Sequence, residues 1–237
     1  RPRTAEPAGR KRPVTSALTL YHIPDWASSI IHLALEEIGV PFQIRLMDRD
    51  EGDFSAPWFR AINPLGLIPA METPDGPMFE TVAILLWLNE SFGGLGPRQG
   101  EPDRAAFLSW LSFVSNTLHP TVMDMIHPER LAGEAAAAQM APAALERLNI
   151  QCGLIEAMLT DQRPDWLSTD TSGGLGHYLG ILIRWAIYLP KDPSMRFSLR
   201  PFPALRAVLA AHESSRAARK VAEADALGPT PFTAPQG

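Results

Sequence analysis

The sequence predicts an α/β domain of element order βαβαββα followed by an all-helical domain, and three observations carry that prediction. Apolar residues in the first 92 positions alternate between period two and helical spacing. A glycine- and proline-rich stretch, residues 93–102, then reads as a linker. Beyond it the apolar stripes all have helical spacing.

Leu18 to Tyr21 forms the first strand, and Ile30, Ile31, Ala34, Leu35 and Ile38 share one helical face that Gly39 and Pro41 end. Phe42, Ile44 and Leu46 alternate with Gln43 and Arg45, a second strand, and Pro57 to Ile62 is a short helix. Asn63-Pro64-Leu65-Gly66 is turn chemistry, because proline presets one dihedral and glycine accepts a positive φ. Pro69 heads the strand that follows, where a missing ladder donor matters least. Only X-Pro bonds have a cheap cis form, and a cis Ile68-Pro69 bond would turn the Ile68 backbone outward to pair with an extended peptide. Asp75-Gly76 closes a hairpin. Glu80 and Thr81 open the helix carrying Val82 to Leu88, and a helix N-terminus favours a ligand carboxylate. Strand, helix and strand imply a parallel pair, to which the hairpin adds an antiparallel edge. Residues 17–92 thus have the order of a thioredoxin-like domain.

The helical domain is expected over 103–226. Its stripes are Phe107, Trp110, Leu111, Val114 and Leu118, with Pro120 and Pro128 bending or ending that helix; Leu145, Leu148, Cys152, Ile155 and Leu159; and Leu179, Leu182, Ile183, Ala186 and Ile187. Phe202 to Ala211 and Ser214 to Ala226 are later helices, and 227–237 is a tail. Residues 1–16, with five Arg or Lys among Pro, Ala and Gly, read as a flexible leader without the apolar core of a secretory signal.

Composition narrows the function. A net charge of −5 with no broad basic stripe argues against a nucleic-acid partner. No apolar run approaches the ~20 residues of a membrane span, so the chain is expected to be soluble. The single cysteine, Cys152, excludes an intrachain disulfide framework and fits a reducing compartment. On its apolar helical face it is a structural thiol. The six histidines lack His-Glu-x-x-His or Cys/His ligand spacing, so no metal is expected.

Asn63-Pro64-Leu65-Gly66-x-Ile68-Pro69-Ala70 together with Glu80-Thr81, in a thioredoxin-like domain joined to a helical one, resembles the cytosolic glutathione S-transferase superfamily, especially its bacterial members. The resemblance implies that glutathione is the co-substrate, that Ile68 before the cis-proline Pro69 pairs with its cysteinyl unit, and that Glu80 and Thr81 hold its γ-glutamyl end. Thr81 matches by chemical type, the family more often having serine. It further implies a cytoplasmic homodimer. One departure is Leu67, where the family frequently has Lys or Gln that helps hold glutathione. Another is Gly173-Gly174-Leu175-Gly176, where the family has a Ser/Thr-x-x-Asp capping box; Thr171 or Ser172 is left to cap, and the glycines suggest a looser helix start.

The chemistry implied is stabilisation of glutathione thiolate, the nucleophilic form, by a hydroxyl near the first helix N-terminus. Laid on family patterns, Ser28 is the first candidate, with Tyr21 and Ser29 behind it; Asp25 and Ala27 occupy the serine-type and cysteine-type positions of other classes. The competing reading is that Ser28 and Asp25 simply cap a helix. Trp26 and Trp110 are candidates for an apolar co-substrate pocket. The expected function is addition of glutathione to a small apolar electrophile, or its reduction or dehalogenation. The alternative is a non-catalytic binding or scaffold protein on the same fold.

Overall fold

In the computed structural model of the chain the described residues are 18–190 and 192–236, so the leader expected over 1–16 lies outside them. Strand β1 (Leu18–His22) pairs in parallel with β2 (Phe42–Leu46) and antiparallel with β3 (Ala70–Thr73), and β3 pairs with β4 (Gly76–Phe79), giving the order β2-β1-β3-β4. Helix α1 (Ser28–Ile38) makes the crossover that a parallel pair requires. Thr73 pairs with Gly76, so the hairpin turn is Pro74-Asp75, one residue earlier than the Asp75-Gly76 expectation. Pro74 presets the first turn dihedral. This is the thioredoxin-like arrangement, completed by the short α2 (Pro57–Arg60) and by α3 (Thr81–Phe92).

The pleat of β1 divides its side chains. Leu18 and Leu20 enter the main core, while Tyr21 points to the other face and packs with Met47, Phe59 and Ala70. The apolar alternation of β2 does not bury its whole set. Ile44 and Leu46 are 38% and 66% exposed, because β2 is an edge strand.

The remainder is helical: α4 (Arg104–Phe113), α5 (His119–Ile126), α6 (Glu129–Ala132), α7 (Glu134–Ala157), α8 (Gly173–Tyr188), α9 (Pro203–Glu213) and α10 (Arg216–Ala224). Phe107, Leu111, Val114 and Leu118 are buried on one continuous face. Between α4 and α5 the backbone makes a π-helical turn, Val114–Leu118. Pro120 directly follows that π turn within a helical run that continues from α4 through α5, and so does not end the helix. One apolar core joins both parts of the molecule, from Leu18 to Phe232.

Two expectations change. The start of α8 is not loosened by its glycines: Gly174 N–H donates to Leu95 O at 2.9 Å, and a Cβ on Gly173 would lie 2.9 Å from that same oxygen. Glycine lets the linker close on the helix, and the Ser172 side chain makes no cap. The segment expected as a tail from 227 is packed, with Leu227 and Phe232 buried. Glu213 accepts hydrogen bonds from Phe232 N, Thr233 N and Thr233 Oγ1 at 2.8, 3.0 and 2.7 Å.

Candidate functional site

The turn before β3 is built by Asn63, whose buried side chain accepts from Leu65 N at 3.0 Å and donates to Leu67 O at 2.7 Å. Gly66 sits at φ 60°, and a Cβ there would lie 2.3 Å from Phe54 O. Gly66→Ala is therefore expected to cost about 1–3 kcal/mol, from overpacking and an unfavourable φ, read as a lower denaturation midpoint. The Ile68-Pro69 peptide is cis. Because Ala70 pairs with Phe79, the hairpin returns Glu80 and Thr81 beside Ile68 and Pro69. Glu80 holds φ 72°, a region most residues avoid, and its exposed carboxylate does not cap α3. Such a conformation is characteristic of functional positions.

From the other part of the molecule, the π-helical turn presents Ser115 and Asn116, α5 presents His119 and α8 presents Tyr178. These residues and Ala27, Asn63, Leu65, Leu67, Ile68, Pro69, Glu80 and Thr81 enclose a cavity of about 280 Å³. That lies near the lower bound of about 300 Å³ for small-molecule sites. His119 Nδ1 lies 2.9 Å from the Tyr178 hydroxyl. Burial lowers the His119 pKa to about 4, and burial raises that of Tyr178 to about 12. At neutral pH the imidazole is uncharged and the phenol keeps its proton. If Tyr178 donates to Nδ1, the ring proton resides on Nε2. Glu80 is then the charged group of the lining, which suits a ligand ammonium.

The depressed His119 pKa predicts an acid sensitivity. Between pH 6.5, the ordinary histidine value, and about pH 4, the unfolded chain takes up a proton that the folded imidazole does not. This group's contribution to stability therefore falls as pH drops through that window. Denaturant midpoints of wild type and His119→Phe should converge across it.

The three hydroxyls proposed for the thiol do not line this cavity. Tyr21 is buried under the opposite sheet face, with burial and the Glu72 charge raising its pKa. Ser28 and Ser29 are 0% exposed. Ser28 Oγ lies 2.9 Å from His22 Nδ1 and accepts from Ile23 N at 3.2 Å, while Ser29 Oγ donates to Asp225 Oδ2 at 2.6 Å. The first turn of α1 faces the C-terminal segment, and only Ala27 reaches the cavity. Trp26 and Trp110 do not line it either; Trp26 stacks on Phe54 and Trp110 meets Phe113 edge-on.

Asp25 has neither a free nor a capping carboxylate. At φ 60° it receives Arg184 Nε at 2.9 Å, Arg184 Nη2 at 3.1 Å and Trp185 Nε1 at 3.1 Å, with the Tyr188 hydroxyl also donating. His22, His32 and Asp225 place ligand-type atoms within 4.8 Å of one another. Asp225 Oδ1 accepts from both imidazoles, at 3.0 and 3.2 Å, and these bonds account for the grouping. Burial pushes the Cys152 thiol up, which suits a structural residue.

Sequence reasoning missed Ser115, Asn116, His119 and Tyr178 as cavity residues. The π-helical turn that aims the first two has no periodicity signal.

A cavity at the seam of a thioredoxin-like sheet and a helical bundle, edged by a cis-proline and a helix N-terminus, defines a glutathione transferase-type architecture. Residues 27–91 match the family model of the glutathione S-transferase N-terminal domain. The chain is 27% identical to glutathione S-transferase GST-4.5 of Xanthomonas campestris over 172 residues, 71% of this chain and 82% of that one. It is 28% identical to the disulfide-bond oxidoreductase YfcG of Escherichia coli over 198 residues, 80% and 86% of the two chains. The crystal structure of a glutathione transferase from Methylococcus capsulatus superposes with a TM-score of 0.73 at 25% identity, covering 90% of this chain and 100% of that one. In its N-terminal domain, its relatives and its fold the chain is similar to the glutathione S-transferase superfamily, bacterial members among them.

Proposed function

We propose that the chain binds glutathione in this cavity and uses its thiol as a nucleophile. The observation that carries the proposal is the convergence of Ile68, Pro69, Glu80 and Thr81 with His119 around one space. Glu80 takes the γ-glutamyl ammonium, Thr81 and the α3 N-terminus take its carboxylate, and the Ile68 backbone takes the cysteinyl unit. The thiolate then falls between Ala27, at the start of α1, and His119, whose Nε2–H donates to the developing charge. His119 replaces Ser28, Tyr21 and Ser29 in this role because it faces the space and they do not. The thiol proton leaves to solvent; the sulfur attacks carbon and expels a leaving group, or attacks a disulfide sulfur and expels a thiolate.

Leu65 and Leu67, which line the cavity and are 53% and 58% exposed, put apolar surface at its mouth and support a small apolar electrophile. A cytoplasmic homodimer with a role in detoxification stays with the family likeness. The test is conversion of an aryl halide and of a mixed disulfide with glutathione. His119→Phe should lower kcat/KM about 100-fold; unchanged turnover would remove His119 from the mechanism. The second reading, a glutathione-binding protein without turnover, is favoured by Ala27, which offers neither hydroxyl nor thiol at the cavity edge. Binding with no conversion of either substrate class would establish it.

A further inference from the structure

Strain and hydrogen bonding converge on the loop between β1 and α1, residues Ile23–Ala27, which ends on the cavity at Ala27. Asp25 within it adopts φ 60°, a conformation that persists only where the surroundings over-determine it. Two serines hold its main chain: Ile23 N donates to Ser28 Oγ at 3.2 Å, and Asp25 N donates to Ser29 Oγ at 3.1 Å. Both lead to one carboxylate. Ser29 Oγ donates to Asp225 Oδ2 at 2.6 Å, and Ser28 Oγ bonds His22, whose Nε2 donates to Asp225 Oδ1 at 3.0 Å. His32 Nδ1 adds a third donor at 3.2 Å.

Asp225 is 5% exposed and begins the C-terminal strap that Arg184 Nη1 grips at Leu227 O, 2.8 Å away. Arg184 also binds the Asp25 carboxylate, so the loop and the strap are tied by two independent connections. Burial by itself would raise the Asp225 carboxyl, but the bonds from His22, His32 and Ser29 outweigh it and hold the group ionised well below the usual carboxylate range.

We propose that Asp225 is a positioning residue: from the C-terminal strap, through Ser29, His22 and Ser28, it fixes the β1–α1 loop and sets Ala27 and the α1 N-terminus against the thiol site. This rests on the glutathione reading above. The hydroxyls that a sequence pattern offers as thiol ligands instead hold the backbone that borders the thiol.

The test uses the full chain and the ultraviolet absorbance of bound thiolate, which gives the pKa of enzyme-bound glutathione thiol. Asp225→Asn puts an amide where one of three donors needs an acceptor; the bound thiol pKa should rise by about one unit and KM for glutathione about tenfold, the scale of a small displacement at a reacting group. Ser29→Ala removes one bond of the same chain and should shift both in the same direction, which keeps the test alive if Asp225→Asn fails to fold. Glu213→Gln loosens the far end of the strap at Phe232 and Thr233 and should lower stability while leaving the bound thiol pKa in place. Equal thiol pKa values in wild type, Asp225→Asn and Ser29→Ala would overturn the proposal and leave glutathione binding intact. Absence of glutathione binding by wild type would overturn both readings together.

Discussion

Arg184→Leu is expected to destabilise the chain by about 3–5 kcal/mol, the cost of removing one partner from a buried ion pair. Arg184 is 3% exposed and makes two bonds to Asp25, with Nη1 donating to Leu227 O as well. Leucine fills part of the volume but leaves the Asp25 carboxylate with a lost charge partner and the strap carbonyl with a lost donor. At about 2–4 °C per kcal/mol for a chain of this size, Tm should fall by on the order of 10 °C. Arg147→Leu provides the contrast. Its pair with Asp124 has side-chain exposures of 50% and 17%, and its loss should cost less than about 1 kcal/mol. Equal Tm changes for the two variants would mean that Arg184 does not hold the β1–α1 loop.

Glu80→Gln should weaken glutathione binding by about 10- to 100-fold, the range of a hydrogen bond to a charged group. The amide keeps the shape and a carbonyl acceptor but loses the charge facing the γ-glutamyl ammonium. Stability should not change, since the Glu80 side chain is exposed and caps nothing. An unchanged Kd with unchanged stability would move the γ-glutamyl end elsewhere.

The fold was legible because its signals are local. Period-two and helical stripes gave the βαβαββα order and the helical domain, and Gly66 and Pro69 marked a turn that the structure contains. The half of the cavity drawn from one continuous stretch, Asn63 to Thr81, was legible for the same reason. The other half was not. His119 and Tyr178 meet across 59 positions, and the turn that aims Ser115 and Asn116 departs from helical spacing. Ser28 misled because serine at a helix start suits a cap, a catalytic hydroxyl or a buried tie equally well. Besides the nearby Ile23 backbone, it bonds His22 and through it Asp225, in a strand and at the far end of the chain, where no spacing rule reaches.

The central claim is that this cavity holds glutathione, and calorimetric titration of the wild-type chain with reduced glutathione tests it most directly. Saturable one-site binding within the millimolar range, weakened in Glu80→Gln, is the predicted result. No heat of binding at millimolar glutathione, with wild type and Glu80→Gln indistinguishable, would contradict it.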